Sequence, residues 1–226
     1  SVNFYNMISV LFPRVCEGCD DYLEHHEALL CAHCVHELPV ACHHREDRLE
    51  MASIFYGRLA VENATALMHF QKRGLSQKLL HSLKYRGQEA IGTFLGNWLG
   101  QELSNHPKYK TVDLVIPVPI HPKKRRRRGY NQVTAFGMEI ATHLNASFRE
   151  DIILKTRQSL SQTFKTRLKR TNTDNPFFTR TPEALSRTHI LIVDDVITTG
   201  NTLEQCALQV QLYSPAKISF ATMAIA

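Results

Sequence analysis

The stretch that decides the fold is Ile190-Leu-Ile-Val-Asp-Asp-Val-Ile-Thr-Thr-Gly-Asn-Thr202. Its four leading apolar residues, Ile190 to Val193, read as a buried parallel strand. That strand delivers Asp194 and Asp195 to its C-terminal edge, where ligands of open α/β sheets gather. Thr198, Thr199, Gly200, Asn201 and Thr202 come next, and then Leu203, Cys206, Ala207, Val210 and Leu212 share one helical face. The turn is therefore a helix N-terminus. Unpaired N–H groups, the positive end of the helix dipole and three hydroxyls converge there on a point suited to a phosphate. A plain capped turn with solvated aspartates is the alternative. The acidic pair, the apolar spacer and the Thr-Thr-Gly-x-Thr turn together favour the phosphate.

Upstream, a second strand–loop–helix unit feeds the same sheet edge. Val112-Asp-Leu-Val-Ile-Pro-Val-Pro119 reads as a core strand whose prolines end the ladder. A loop from Ile120 to Gln132 carries the run Lys123 to Arg128, followed by Gly129. A helix is expected from about Asn131 to Leu144, with Val133, Phe136, Ile140, Ala141 and Leu144 inward. Between Ile54 and Asn105 the pattern is mostly helical, with Leu75, Leu79, Leu80 and Leu83 on one face, closed by Tyr85-Arg-Gly87. A second helix carries Ile91, Phe94, Leu95, Trp98, Leu99 and Leu103, and its Gly92, Gly96 and Gly100 read as close helix–sheet packing. Lys217 to Ala226 reads as a last strand. The alternation of strands and helices predicts an α/β fold with a mainly parallel sheet.

The N-terminal region is chemically different. Cys16-Glu-Gly-Cys19 and Cys31-Ala-His-Cys34 are two C-x-x-C knuckles, and together they make a closed tetrahedral S₄ set of the kind structural zinc prefers. Two disulfides or free thiols are the other readings. His25, His26, His33, His36, His43 and His44 crowd the same region and read as solvated surface residues, with substitute ligands or a second site as the alternatives, and the segment from Pro39 to Glu50 reads as a linker. Residues 1–45 thus form an N-terminal segment with the four-cysteine module, and 46–226 the main domain, divided into a helical part (46–105) and a core (111–226).

The chain has 226 residues and a net charge of +6 from 27 Lys and Arg against 21 Asp and Glu. Ten cations sit in two clusters, Lys123 to Arg128 and Lys165, Arg167, Lys169 and Arg170, so the remainder is net acidic. The first cluster admits three readings: a solvated charge block, a nucleic-acid footprint, or a pyrophosphate clamp. Arg128 and Gly129, nearest the following helix, suit the clamp. Lys123, Lys124, Arg125, Arg126 and Arg127 exceed what one small anion can use, which points to a polyanionic partner. No apolar run approaches the ~20 residues of a membrane span, and the start lacks a basic leader, so a cytoplasmic protein without membrane insertion is expected.

The 194–202 loop resembles the phosphoribosyl pyrophosphate (PRPP) motif of type I phosphoribosyltransferases. In that family the acidic pair holds the ribose hydroxyls and the Thr-Thr-Gly-x-Thr loop wraps the 5′-phosphate. The resemblance implies catalytic roles for Asp194 and Asp195, phosphate contacts from Thr198 to Thr202, and Mg²⁺ carried with PRPP. The polar stretch from Lys155 to Arg180 reads as a functional loop or linker. By resemblance it is the flexible loop that closes over PRPP, with Gln162, Thr163 and Arg170 in matching places and Lys169 where an acidic residue is usual.

More narrowly, the chain resembles the ComF family of phosphoribosyltransferase-like competence proteins. The likeness rests on the four-cysteine module, Leu83-Lys-Tyr-Arg-Gly87, Ile116-Pro-Val-Pro119 with His121-Pro122, Arg128-Gly-Tyr-Asn-Gln132 and the 194–202 loop, in that order. It implies a type I phosphoribosyltransferase sheet and action on the cytosolic side of DNA uptake, with single-stranded DNA and a competence helicase as partners. No acceptor pocket is legible. Turnover onto an unidentified acceptor therefore stands beside a non-catalytic role in which the PRPP pocket is a sensor or relic.

Overall fold

The computed structural model describes residues 13–41, 50–155, 175–187 and 189–226. Five strands form the main sheet: β1 (Asn63–His69), β2 (Leu114–Pro117), β3 (Ser147–Phe148), β6 (His189–Ile197) and β7 (Lys217–Ile225). Their order is β1-β7-β6-β2-β3, and every pairing is parallel. A separate antiparallel pair joins β4 (Ile153–Lys155) to β5 (Phe177–Thr179). The expected mainly parallel α/β sheet is thus present.

Period-two alternation along the strands gives the sheet two apolar faces. Val115, Leu191, Val193, Ala221 and Met223 pack on one side. There they meet α3 (Leu75–Tyr85), α4 (Glu89–Ser104) and α6 (Thr134–Leu144). Ile116, Ile190, Ile192, Ile218 and Phe220 point to the other side. They are covered by α7 (Asn201–Gln211), through Leu203, Cys206, Ala207 and Val210, and by Met51 and Phe55 around the short α2 (Glu50–Ser53). Each fully buried Leu or Ile contributes about 1.5–3 kcal/mol against exposure.

Three sequence expectations need correction. The segment expected to be mostly helix contains β1, an edge strand in which Ala64 to Met68 are all buried. Its composition, Asn63-Ala-Thr-Ala-Leu-Met-His69, carries little strand propensity. Burial beside β7 decides its state. The stretch 120–132 is not a loop throughout, because Pro122–Arg128 forms α5, with Pro122 in its first turn and Gly129 closing it at φ +85°. A Cβ at Gly129 would meet nothing within 4 Å, so the left-handed backbone alone calls for glycine. Gly92, Gly96 and Gly100 serve helix–helix packing, not helix–sheet packing. Cβ atoms at Gly96 and Gly100 would lie 2.6 Å from the Phe136 carbonyl oxygen and 3.1 Å from the Ile140 Cα of α6.

The cysteine module sits against this domain. Cys16, Leu30, Cys34 and Leu38 belong to the same apolar cluster as Leu79 and Leu83. The Lys78 ammonium donates to the Gly18 carbonyl at 2.7 Å and to Asp20 at 2.8 Å. Residues 39–41 run antiparallel beside β1, with the His69 N–H on the Pro39 carbonyl (2.7 Å) and the Ala41 N–H on that of Leu67 (2.9 Å). This covers a sheet edge that would otherwise offer unpaired backbone groups.

Candidate functional site

Parallel pairing of β2 with β6 brings the segments after both strands to one edge, and the Val118 N–H donates to the Val193 carbonyl at 2.8 Å. Asp194 and Asp195 lie within β6 near its end, not in the turn beyond it, and are 9% and 8% exposed. Consecutive strand residues face opposite ways, so the pair is split between the two sides of the sheet. Asp195 faces α3 and α6. Its Oδ2 accepts from the Lys84 ammonium at 2.9 Å and from the Gln132 amide at 2.9 Å. Asp194 accepts the Asp195 N–H at 2.8 Å. Burial, and then the neighbouring Asp195 charge, raise its carboxyl well above the usual carboxylate range.

Gln132 extends this network, accepting on Oε1 from Arg128 Nη1 at 2.5 Å. The Arg128 guanidinium lies 5.1 Å from the Tyr85 ring centroid, and the Tyr130 hydroxyl donates to the Leu83 carbonyl. Arg128 Nε is buried without a hydrogen-bond partner among the described residues. Three separate sequence motifs, 83–87, 128–132 and 194–202, therefore meet through the series Lys84–Asp195–Gln132–Arg128.

Thr198, Thr199, Asn201 and Thr202 are exposed at the start of α7. Gly200 occupies the cap position at φ +75°, and no side chain caps the helix, which leaves first-turn amides for an external acceptor. Gly200 is also tightly enclosed, since a Cβ would lie 2.8 Å from Phe55 and 2.9 Å from Ile54. Arg58 braces the turn with hydrogen bonds to the Thr199 carbonyl (3.0 Å), the Ile54 carbonyl and the Glu204 carboxylate (2.6 Å). Nothing in the sequence singled out Arg58. Lys84 and Gln132 are legible in the sequence only as members of the motifs 83–87 and 128–132.

Lys123, Lys124, Arg125, Arg126 and Arg127 are exposed on α5, and Arg125 pairs with Glu150 at 2.9 Å. The segments that carry Gln162, Thr163 and Arg170 lie outside the described residues.

In the N-terminal module the four thiol sulfurs of Cys16, Cys19, Cys31 and Cys34 lie within 4.8 Å of one another. The Gly18 and Cys31 N–H groups donate to Cys16 Sγ at 3.3 and 3.2 Å. Burial raises the Cys16 thiol, but backbone donors from Cys31, Cys19 and Gly18 outweigh it and bring the value to about 7. Burial, and then hydrogen bonds within the cluster, raise Cys34. Four converging thiols with backbone N–H donors fit a metal ion that takes all four as ligands. Among the described residues no helix is long and apolar enough to cross a membrane.

No family model matches the chain. It is 32% identical over 134 residues to the DNA utilization protein YhgH of Escherichia coli O157:H7, covering 57% of this chain and 58% of the relative. It is 30% identical over 122 residues to competence protein ComFC of Streptococcus pneumoniae, covering 54% and 50%. To competence protein F of Haemophilus influenzae it is 22% identical over 217 residues, covering 90% of each. The matches to the first two span about half of the relatives' length. Among solved structures, a Bacillus subtilis glutamine PRPP amidotransferase aligns with 59% of this chain and 26% of its own, at 14% identity and a TM-score of 0.41. A Staphylococcus aureus hypoxanthine phosphoribosyltransferase aligns with 60% and 63%, at 14% identity and a TM-score of 0.36. The sequence relatives carry the assignment: the chain is a homologue of the DNA utilization and competence F proteins.

Proposed function

We propose that this chain binds PRPP at the C-terminal edge of its sheet and acts in DNA uptake or utilisation on the cytosolic side. The observation that carries the ligand is the meeting, at one edge, of an uncapped helix N-terminus, a buried acidic pair and a half-buried arginine with an unpartnered Nε. The 5′-phosphate would lie on the first turn of α7, where backbone amides and the threonine hydroxyls supply donors. Asp195 and Asp194 would hold the ribose, and Arg128 the pyrophosphate. Mg²⁺ bound to the pyrophosphate and ribose oxygens would neutralise the leaving group in any transfer. Hydrogen bonds from Lys84 and Gln132 fix Asp195 in place, while burial and the neighbouring Asp195 charge push the Asp194 carboxyl toward its protonated form.

A second reading has its own observation. The exposed cations of α5 stand outside the Arg128 network, and five are more than a pyrophosphate can use. Binding of single-stranded DNA, with or without a competence helicase, accounts for them, and the PRPP pocket is then a sensor. The four-cysteine module holds zinc in a structural role in either case, because no ligand position is left open.

The PRPP assignment is tested by melting temperature. PRPP with Mg²⁺ is expected to raise it in the wild-type chain and to leave Asp194→Ala/Asp195→Ala unmoved, whereas equal stabilisation of both removes the pocket. Pyrophosphate release across a panel of acceptors separates enzyme from sensor. For the metal, freshly purified protein should hold one zinc ion that Cys31→Ser loses.

A further inference from the structure

Phe177 and Phe178 point to opposite sides of β5. Phe177 is buried in the second core, with the Lys155 ammonium 5.0 Å from its ring centroid. Phe178 is only half-buried and is no member of either core. It stands opposite Leu154 across the β4–β5 ladder, and the two make an apolar wall. That wall belongs to an open cavity of about 470 Å³ that Ile120, Arg125, Arg126, Lys155 and Glu150, the ion-pair partner of Arg125, also line. The volume is in the range of small-ligand sites, ~300–1,000 Å³. Cations at the rim and an aromatic face inside suit a flat ring attached to phosphate. A pyrophosphate alone has no use for the apolar wall.

The rest of α5 says what the ring is attached to. Helical spacing spreads five consecutive cations around the axis. Arg125 and Arg126 line the cavity, while Lys123, Lys124 and Arg127 are exposed outside it. A mononucleotide would leave those three without a role, whereas a polymer with phosphates on both sides of the inserted ring engages them. Bases in a duplex stay stacked and paired, so the polymer is single-stranded.

We propose that this cavity takes one unstacked base of single-stranded DNA, stacked on Phe178, while Lys123, Lys124 and Arg127 hold the neighbouring phosphates. The inference rests on the DNA-binding reading above and adds to it a base-binding site separate from the PRPP loop. Aromatic stacking tolerates any base, so affinity without sequence preference follows.

The test is fluorescence anisotropy of a labelled oligothymidylate across a salt series. Phe178→Ala is expected to weaken binding roughly 5- to 150-fold with the salt slope unchanged, and Phe178→Trp to restore it. Lys123→Ala/Lys124→Ala/Arg127→Ala is expected to reduce the slope by about 2. Binding by Phe178→Ala within twofold of wild type overturns the proposal while leaving DNA binding intact. Failure of the wild-type chain to bind at low salt overturns both. Photocrosslinking of a 5-iododeoxyuridine oligonucleotide to the wild-type chain needs no variant to fold. A crosslinked peptide containing Phe178 supports the site, and crosslinks confined to other peptides overturn it.

Discussion

The starts of α7 and α5 lie at the same sheet edge and both offer positive charge to solvent, yet they are built by opposite means. At α7 the attraction comes from backbone amides, and the turn is held rigidly by Phe55, Ile54 and Arg58. The nearby carboxylates are buried and cross-braced. On α5 the attraction comes from long side chains, none of them buried, around a helix that contributes nothing to the core. A preorganised backbone site favours one small anion of fixed shape. A solvated ring of cations favours a chain of phosphates and is sensitive to salt. Counting basic residues finds the second kind of site and overlooks the first.

If the contrast is right, substitutions in the two regions differ sharply in structural cost. Gly200→Ala combines a left-handed backbone with contacts under 3.0 Å, and is expected to destabilise by about 3 kcal/mol. Gly129→Ala, with similar φ but open space, should cost only about 1 kcal/mol. Urea denaturation measures both, and equal costs would contradict the enclosed character of the α7 turn. Lys84→Met removes the cation on Asp195 and is expected to cost about 2 kcal/mol, with loss of PRPP-induced stabilisation. A stable variant that still responds to PRPP would show the network to be dispensable.

Asp194 makes the α7 region sensitive to pH. Its carboxyl is raised in the folded chain by burial and by Asp195, so the folded state keeps a proton that the unfolded state gives up above about 3.8. That contribution is fully present below 3.8 and is lost as pH rises through the higher folded value. Stability should therefore fall across this window, and Asp194→Asn should remove the fall, as read by urea midpoints at a series of pH values. The smallest structural effect belongs to α5. Lys123→Ala/Lys124→Ala/Arg127→Ala should change folding stability by no more than about 0.5 kcal/mol per site.

Much of the scaffold was legible because it is written in local patterns. The runs 190–193 and 114–118 are apolar on both faces, as strands inside a two-sided parallel sheet must be. The face of α7 emerged with Leu203, Cys206, Ala207 and Val210 buried as its spacing requires. β1 escaped because alanines, an asparagine and a histidine become a strand only beside β7. The helical state of α5 did have signals, Pro122 at its start and Gly129 just past its end, but the density of charge drew the reading toward a loop. Lys84, Gln132 and Arg58 could not be placed without tertiary structure, since each gains its role from a partner 63 to 146 positions away or across the fold. Phe178 is distinguished from Phe177 only by which side of β5 it faces.

On the proposals above, the two anion-facing regions are separable, PRPP binding at α7 and single-stranded DNA at α5. Calorimetric titration of the Lys123→Ala/Lys124→Ala/Arg127→Ala chain with both ligands tests it most directly. The expected result is a PRPP affinity within about twofold of wild type beside a loss of oligonucleotide affinity of tenfold or more at low salt. A parallel fall in both affinities would contradict it, and would make α5 part of a single anion site.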